Sequence, residues 1–313
     1  MRWRVSNLVL LAMVLAAHVG LADLFPRIAI IKSSSVLPFN QATDAVLETV
    51  RRGLPAPEII TFDLDGDEAA AAALLAEVRR ANPRLIITIG SQATAAALAE
   101  ATSTPIIFSM VLYPEQSGFT AAGGRKLSGA TLDVPLAVQF TQLRRVFPGA
   151  RRVGVLYHPA ETGPIIEAAR VVAAQQGFSL VALPVEDSAR AVAALNTLME
   201  QVEVIWSVAD SHVFTPQTTS PLILEALRHR VPLFGLSTAH VRAGALAALT
   251  CDYADIGAQT GESALRVLRG EDAASIPATV PRKVALALNL RSARHLGITL
   301  PAAVEAEASE VVR

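Results

Sequence analysis

Leu-Ile-Ile-Thr-Ile-Gly-Ser-Gln-Ala-Thr, residues 85–94, shows the pattern on which the chain is built. Five residues suited to a buried parallel strand are followed by a glycine that allows a tight turn, and then an alanine-rich segment begins. The same order of apolar run, turn and amphipathic segment recurs from Arg27 onward. Strands that alternate with helices predict an α/β fold with parallel sheets and right-handed crossovers.

The repeated pattern predicts the individual elements. Strands are expected at residues 28–31, 58–62, 85–89, 106–108, 153–157, 178–183, 204–206 and 232–234, and helices at 68–81, 93–101, 136–146, 162–176 and 189–201. Asp67 and Asp187 have the residue type of N-caps, and Gly177 that of a C-cap.

Residues 115–128 contain three glycines and show no helical period, so the first series of strands and helices is expected to end there. A new series begins near Leu136. This predicts two doubly wound lobes with a binding cleft between them. Because ligands of open α/β sheets meet the carboxyl ends of the strands, function is expected in the loops that follow each strand.

The composition excludes several classes of protein. The chain has 313 residues, of which 52% are hydrophobic and 18% charged, a balance too apolar for a disordered protein. The formal net charge is −1 and no run of Lys and Arg occurs, which argues against a nucleic-acid partner. Aromatic residues make up 5%, too few to suggest a stacking platform for single strands.

The N-terminus has the features of a signal peptide. Arg2 and Arg4 precede an apolar run, and Ala22 ends a segment of small residues, so cleavage is expected after residue 22. This predicts export to the periplasm; an uncleaved anchor is the alternative. Cys251 is the only cysteine, which excludes a lipoprotein anchor at the cleavage point and an intramolecular disulfide. We interpret it as a small apolar residue rather than a nucleophile.

Signatures of catalysis and of metal binding are missing from the sequence. It contains no G-x-S-x-G elbow, no phosphate-binding loop with a Lys-Ser/Thr ending and no G-x-G-x-x-G turn. The glycines at 118–124 are expected to form a crossover loop. The histidines show no zinc-ligand spacing, so neither a metal nor a cofactor is predicted. His229, between arginines, is assigned to the solvated face of a helix.

Polar residues at the strand ends are more informative. Ser91 follows Gly90 at the start of a helix, where free N–H groups and the helix dipole favour a carboxylate or another anion; a plain serine N-cap is the alternative. Asp210 follows the strand at 204–206 and could accept a hydrogen bond from a ligand ammonium or hydroxyl group. Its alternative role is to cap the turn before Thr215.

Three further strand ends are polar as well. His158 follows Tyr157, and Ser237 follows the run 232–234. The first strand is followed by a loop at residues 33–40 that begins with three serines, of which Ser34 and Ser35 are candidate ligand contacts. Capping alone explains five polar strand ends less well than a ligand does.

Several short motifs, in this order and spacing, resemble one family: the ABC-transporter substrate-binding proteins with a type I periplasmic-binding fold, which include aromatic amino-acid binders. The resemblance runs from about Ile28 to Pro301. The motifs are Gly90-Ser-Gln-Ala-Thr94, Pro105-Ile-Ile-Phe108, Gly154-Val-Leu-Tyr-His-Pro159, Gly244-Ala-Leu-Ala-Ala248, Asp252-Tyr253, Gly257, Gly261, Ile276-Pro277, Asn289-Leu-Arg-Ser-Ala293 and Leu296-Gly297.

The resemblance implies how the chain is divided. Residues 23–132 with 252–281 would form one lobe and residues 133–251 with 282–313 the other, joined by a hinge of three strands. It also implies that the ligand contacts include Ser91, Gln92, Thr94, Met110, Tyr113, Tyr157, His158 and Asp210. With the serines at the other strand ends, Ser34, Ser35 and Ser237, these are the predicted ligand-binding residues.

The sequence therefore predicts a periplasmic solute-binding protein of an ABC-type uptake system. It is expected to be a monomer that closes around a small polar ligand, such as an amino acid or a related small acid, and presents it to a membrane permease without altering it. A ligand-sensing module that partners a histidine kinase or a chemoreceptor is the alternative. An exported α/β hydrolase would need a nucleophile paired with a general base, and no motif supplies that pair.

Overall fold

The computed structural model describes residues 26–67, 71–100 and 103–313, and the predicted signal peptide lies outside these residues. The described chain forms two compact units. The first contains the residues up to Asp133 together with Tyr253–Arg282, and the second contains Val134–Asp252 together with Lys283–Arg313. Within the described ranges, no helix combines the length and the apolarity that a membrane span requires.

The elements alternate along most of the chain. In chain order the strands are β1 Arg27–Lys32, β2 Glu58–Asp63, β3 Leu85–Ile89, β4 Ile106–Val111, β5 Leu127–Thr131, β6 Arg152–Tyr157, β7 Ser179–Pro184, β8 Val204–Trp206, β9 Leu233–Gly235, β10 Ala247–Cys251, β11 Val284–Asn289 and β12 Glu310–Val312. The helices are α1 Leu37–Gly53, α2 Ala71–Ala81, α3 Ser91–Ala99, α4 Leu136–Val146, α5 Pro159–Gln175, α6 Ala191–Met199, α7 Thr219–Arg228, α8 Thr238–Ala243, α9 Tyr253–Leu268, α10 Leu290–Leu296 and α11 Ala302–Glu307.

The first unit is built on a five-stranded parallel sheet in the order β2-β1-β3-β4-β5. Every residue of β3, β4 and β5 is buried, as expected for strands covered by helices on both faces. Helix α9 packs closely on α1 because it carries glycines one turn apart. A Cβ at Gly257 would lie 2.2 Å from the carbonyl oxygen of Ala42, and one at Gly261 would lie 2.7 Å from the Cβ of Thr49.

The second unit has a seven-stranded sheet in the order β12-β11-β10-β9-β8-β6-β7. Its strand pairs are parallel except β10 and β11, which run antiparallel from the Ala247–Leu288 pair to the Cys251–Val284 pair. At its centre the indole Nε1 of Trp206 donates a hydrogen bond of 2.9 Å to the Oε1 of Gln139. The α/β class with mostly parallel sheets is confirmed, and the antiparallel pair is the departure from it.

Most predicted elements are present with shifted ends, but the interpretation of residues 33–40 as a loop is wrong in its second half. Helix α1 begins at Leu37, and Pro38 occupies its first turn, where a missing N–H costs nothing. The predicted caps Asp187 and Gly177 are confirmed: the Asp187 side chain accepts from the amide of Ala189, and Gly177 has φ +74° after α5. Part of the helix predicted at 68–81 lies outside the described residues.

Candidate functional site

At the carboxyl edge of the first sheet, the loop after β1 caps the helix after β3. Because β1 and β3 are neighbours, Ser33 lies beside the start of α3. Its amide donates to the carbonyl of Ile89 at 2.9 Å, and its hydroxyl accepts from the amide of Ala93 at 3.0 Å. The sequence does not single out Ser33 among the serines of this loop. Its hydrogen bond joins residues 60 positions apart and forms only because β1 and β3 are neighbours.

The turn before α3 leaves two main-chain donors open. Gly90 has φ +90°, and a Cβ there would lie 2.6 Å from the hydroxyl of Ser33, so only glycine fits. Ala93 donates to Ser33, but the amides of Ser91 and Gln92 have no acceptor among the described residues. Both residues are exposed. Open N–H groups at the positive end of a helix dipole can bind an anion.

Thr94, one turn into α3, is completely buried. Its hydroxyl donates to the carbonyl of Gly90 at 2.8 Å and lies 2.8 Å from the hydroxyl of Thr88. These bonds hold the turn between β3 and α3 in shape. Direct contact between Thr94 and a ligand stays a prediction.

Ser35 belongs to an ion-pair cluster at the ends of β1 and β2. The ammonium group of Lys32 lies 3.0 Å from the carboxylate of Asp63 and donates to the hydroxyl of Ser35 at 2.8 Å and to Asn40 Oδ1 at 3.1 Å. Ser35 in turn donates to Asp63. Burial by itself would raise the pKa of Asp63, but the hydrogen bonds from Ser35, the Asp65 amide and Lys32 outweigh it and lower the pKa. Ser34 is half-buried beside this cluster.

Strained backbone lies at the end of β4 and just after it. Met110 and Tyr113 have φ values of +58° and +46°, the left-handed region that non-glycine residues rarely adopt. The register of β4 against β5 shifts between Ser109 and Val111. The Tyr113 amide donates to both carboxylate oxygens of Asp133, at 3.0 and 2.9 Å. Burial raises the pKa of Asp133 to about 6, although the Tyr113 amide acts in the opposite direction.

In the second unit, Asp210 lies in the loop after β8 with only 2% of its surface exposed. One carboxylate oxygen accepts from the amide of His158 at 2.7 Å and from the hydroxyl of Thr162 at 2.6 Å. The other accepts from the amides of His212 and Val213 at 3.0 Å. These four donors fill the lone-pair positions of the carboxylate and tie the loop after β8 to the start of α5.

Glu161 makes the reciprocal connection from α5. Its carboxylate accepts from the amide and the hydroxyl of Ser211 and lies 2.7 Å from His212 Nδ1. Burial by itself would raise the pKa of Glu161, but these hydrogen bonds lower it below the usual range. The rings of His158 and His212 stack with centroids 3.9 Å apart, and the buried His158 Nδ1 has no partner in the described part of the chain.

Ligand atoms of Glu161, Asp210 and His212 lie within 4.8 Å of one another, a spacing that a metal ion could use. The hydrogen bonds argue against that use. Both oxygens of each carboxylate already accept from amides or hydroxyls of the chain. A cation would have to displace these donors, so we interpret the cluster as a brace that fixes two loops.

The remaining predicted residues of the second unit also lie at its carboxyl edge. Tyr157 ends β6 and is half-buried. The hydroxyl of Ser237 accepts from the amide of His240 at 3.4 Å, so it caps α8. The pKa of His240 is lowered by burial. His229 is exposed after α7 and lies 3.2 Å from Glu225, in agreement with its assignment to a solvated face.

Within each unit, therefore, the structure brings the predicted residues to one edge of a sheet. It also shows residues that the sequence analysis missed, all of which act by holding loops: Lys32, Ser33, Asp63, Asp133, Glu161, Thr162 and His212. The sequence feature that could have revealed some of them is an ionisable residue at or just after a predicted strand end, as in Lys32, Asp63 and Asp133.

Solved structures of similar fold cover almost the whole chain. One is the ABC domain in complex with L-Trp from Streptococcus pneumonia, with a TM-score of 0.72, 19% identity, and coverage of 92% of this chain and 100% of that one. Another is the ligand-free, open structure of a Clostridium difficile substrate binding protein with adhesive properties, with a TM-score of 0.78, 19% identity, and coverage of 92% and 99%. These neighbours confirm the type I periplasmic-binding fold.

Sequence relatives agree with the fold. The tyrosine-binding protein of Clostridioides difficile (strain R20291) is 23% identical over 211 residues, which are 66% of this chain. The match spans 60% of that protein's length. The profile of the family described as ABC transporter substrate binding protein matches residues 59–312. The chain belongs to this family of ABC transporter substrate-binding proteins.

Proposed function

We propose that this protein is the periplasmic binding component of an ABC-type uptake system and that its ligand is a small molecule with a carboxylate group. An aromatic amino acid is the first candidate, because a relative binds tyrosine and a protein of the same fold was solved with L-Trp. The protein binds as a monomer, passes the ligand to a membrane permease and performs no chemistry on it.

The two open amides at the start of α3 carry the proposal. Ser91 and Gln92 present exposed N–H groups at the carboxyl edge of the first sheet, and no described residue accepts from them. The helix of nine residues behind them adds its dipole. Ser33 and Gly90 hold the turn in the one conformation that keeps both donors pointing away from the helix. A ligand carboxylate satisfies both donors.

The other predicted residues divide into two groups by their hydrogen bonds. We propose direct ligand contact for Tyr157 and His158, whose side chains make no hydrogen bond to described residues, and for Tyr113, Met110 and Ser34 at the same edges. The side-chain oxygens of the other predicted residues hydrogen-bond within the chain: Ser35, Thr94, Asp210 and Ser237. They support the site by holding the turns that carry the contacts.

Calorimetry with L-tyrosine, L-tryptophan and their carboxamides tests the ligand class. We expect the amino acids to bind and the carboxamides, which lack the anionic group, to bind at least tenfold more weakly, because hydrogen bonds to charged groups are worth about 1.5–3 kcal/mol. Mass spectrometry of small molecules released from the purified protein gives an unbiased check. A ligand recovered chemically altered over many turnovers would show an enzyme instead.

Two substitutions at one position separate the main-chain donor from the side chain. Ser91→Pro removes the N–H, and proline is well tolerated at the first position of a helix. Ser91→Ala keeps the N–H and removes the hydroxyl. We expect Ser91→Pro to weaken carboxylate binding about tenfold or more and Ser91→Ala to change it little. Equal effects of the two variants would contradict an anion site made by the main chain.

Export is tested on the protein itself. The positive residues and the apolar run before Ala22 support cleavage at that point. The intact mass of the protein recovered from the periplasm should correspond to a chain that begins at Asp23. Full-length protein recovered only from the cytoplasm would refute export.

A further inference from the structure

A partly buried carboxylate in the first unit has a single kind of partner. Asp133 directs both oxygens at the amide of Tyr113, at 3.0 and 2.9 Å, and its own amide lies 3.3 Å from the hydroxyl of Thr131. A buried carboxylate normally collects several donors. Asp133 therefore lies where burial disfavours its ionised form, and the one donor that its carboxylate has is the main-chain amide of Tyr113.

That contact holds a strained segment in place. Residues 110–113 include both non-glycine residues with positive φ in this loop, Met110 and Tyr113. Met110 is almost completely buried and lies at the register shift in β4, between Ser109 and Val111. Residues held in rarely populated backbone conformations persist only where their surroundings fix them, and they cluster at functional sites.

We propose that Asp133 is a positioning residue for the ligand loop Met110–Tyr113, acting through the main-chain amide of Tyr113. The inference rests on the proposed function, which assigns ligand contact to this loop. The ionised carboxylate is the stronger acceptor and holds the loop, whereas the protonated acid holds it less firmly.

The inference gives ligand binding a defined dependence on pH. Burial raises the pKa of Asp133 to about 6, and no ionised side chain contributes to that shift. The hydrogen bonds of Asp133 run to the Tyr113 amide and the Thr131 hydroxyl, and among the described residues none joins its carboxylate to an ionisable side chain. Affinity should therefore be highest above pH 7 and fall as the pH decreases through 6.

Two measurements test the inference, one of them without ligand. The amide resonance of Tyr113 in ¹⁵N spectra should titrate with a midpoint near pH 6 in the wild type and lose that titration in Asp133→Asn. The affinity for L-tyrosine, measured from pH 5 to pH 8, should fall about tenfold on acidification in the wild type. In Asp133→Asn it should stay at the weaker value throughout.

The matched control is Asp272→Asn. Asp272 is in the same unit and also accepts a hydrogen bond from a main-chain amide, that of Ala274 at 3.1 Å, but it caps a short turn far along the chain from the ligand loop. It should leave the pH profile of affinity unchanged. A purely structural role for Asp133 would alter stability and leave that profile unchanged, which would overturn the inference.

Failure of the proposed function gives a different result. If the wild type binds no L-tyrosine at any pH, the ligand assignment is wrong, and the Tyr113 amide still decides the role of Asp133. An amide that does not titrate near pH 6, or that titrates equally in Asp133→Asn, overturns the inference whatever the ligand is.

Discussion

The carboxyl edges of the two sheets each depend on an aspartate, which is buried in the second unit and partly buried in the first, but the two aspartates are satisfied differently. Asp210 in the second unit accepts from three main-chain amides and one hydroxyl. Asp133 in the first unit accepts from one amide. The number of hydrogen-bond donors decides whether the ionised carboxylate stabilises or destabilises its unit. A charge removed from water stabilises a fold only when its lone pairs are filled. We expect Asp210 to stabilise its unit and Asp133 to destabilise its own.

Removing Asp210 should have the largest effect. Asp210→Ala leaves the Thr162 hydroxyl and the Val213 amide without an acceptor in a buried place, and the amides of His158 and His212 in a partly buried one. Since each unsatisfied buried donor costs about 1–3 kcal/mol, with partial relaxation of the loop, we expect the free energy of unfolding to fall by about 3–5 kcal/mol. Urea denaturation followed by circular dichroism measures it.

The control for Asp210 is Asp187→Ala. Asp187 is exposed and accepts from one amide, that of Ala189, so its removal should cost only about 0.5–2 kcal/mol. Similar losses in the two variants would show that the number of donors does not matter, and the comparison between the two edges would then be wrong.

Replacing Asp133 should have the opposite sign. A carboxyl pKa raised from 3.8 to about 6 corresponds to about 3 kcal/mol lost when the group ionises in the folded protein. The cost is absent below pH 3.8, grows between pH 3.8 and 6, and is complete above 6. Asp133→Asn should therefore raise the free energy of unfolding by about 1–3 kcal/mol at pH 7–8, and the difference should disappear near pH 4.

Denaturation curves of the wild type and Asp133→Asn at pH 4, 6 and 8 check this expectation. A variant that is less stable than the wild type at pH 8 would contradict it. Higher stability together with weaker ligand binding is the combination expected where a site is strained to serve function.

The turn at residues 85–94 and the two aspartates also show how much of the site the sequence predicts. The strand, glycine and helix start at residues 85–94 are contiguous, so the pattern of apolar residues predicts both the turn and its open amides. The contacts of Asp210 with His158 and Thr162 join residues 48–52 positions apart, that of Asp133 with Tyr113 joins residues 20 apart, and only the fold brings them together. The sequence therefore identifies strand ends as places of function but does not show which polar side chains face a ligand and which hold a loop.

The same limit applies to helix α1 and to the histidines. Judged from its sequence neighbours alone, Pro38 after three serines favours a loop. Proline also fits the first turn of a helix, and α1 begins there. His158 and His212 lack metal-ligand spacing in the sequence, and yet their rings stack across two loops. Local propensity and spacing do not register such tertiary contacts.

Glu161 should have an intermediate effect. Glu161→Gln removes the charge that accepts from Ser211 and His212, and we expect a loss of about 1–2 kcal/mol at pH 7. Because the folded pKa is lowered, the contribution is present above pH 4.5 and is lost as the pH falls below it. The wild type should lose stability with acid more steeply than the variant.

Glu167→Gln on the same helix is the control for Glu161. Glu167 is exposed and forms an ion pair of 3.3 Å with Arg170 on the surface of α5. Its replacement should change stability by less than about 0.5 kcal/mol. If thermal denaturation shows equal shifts for the two variants, Glu161 does not brace the loop after β8.

The smallest effect is expected for the ion pair of Lys32 and Asp63 in the first unit. The pair is 3.0 Å long, with 12% and 28% of the side chains exposed, and Ser35 links the two groups. A double-mutant cycle with Lys32→Met and Asp63→Asn should give a coupling of about 1 kcal/mol.

The coupling should shrink in 1 M salt, because the Debye length falls to about 3 Å. It should also be lost as the pH falls below 3.8, since the lowered pKa of Asp63 makes its contribution depend on ionisation. A coupling as large as the loss expected for Asp210→Ala would mean that charge pairing, rather than the filling of a carboxylate by main-chain donors, organises these edges.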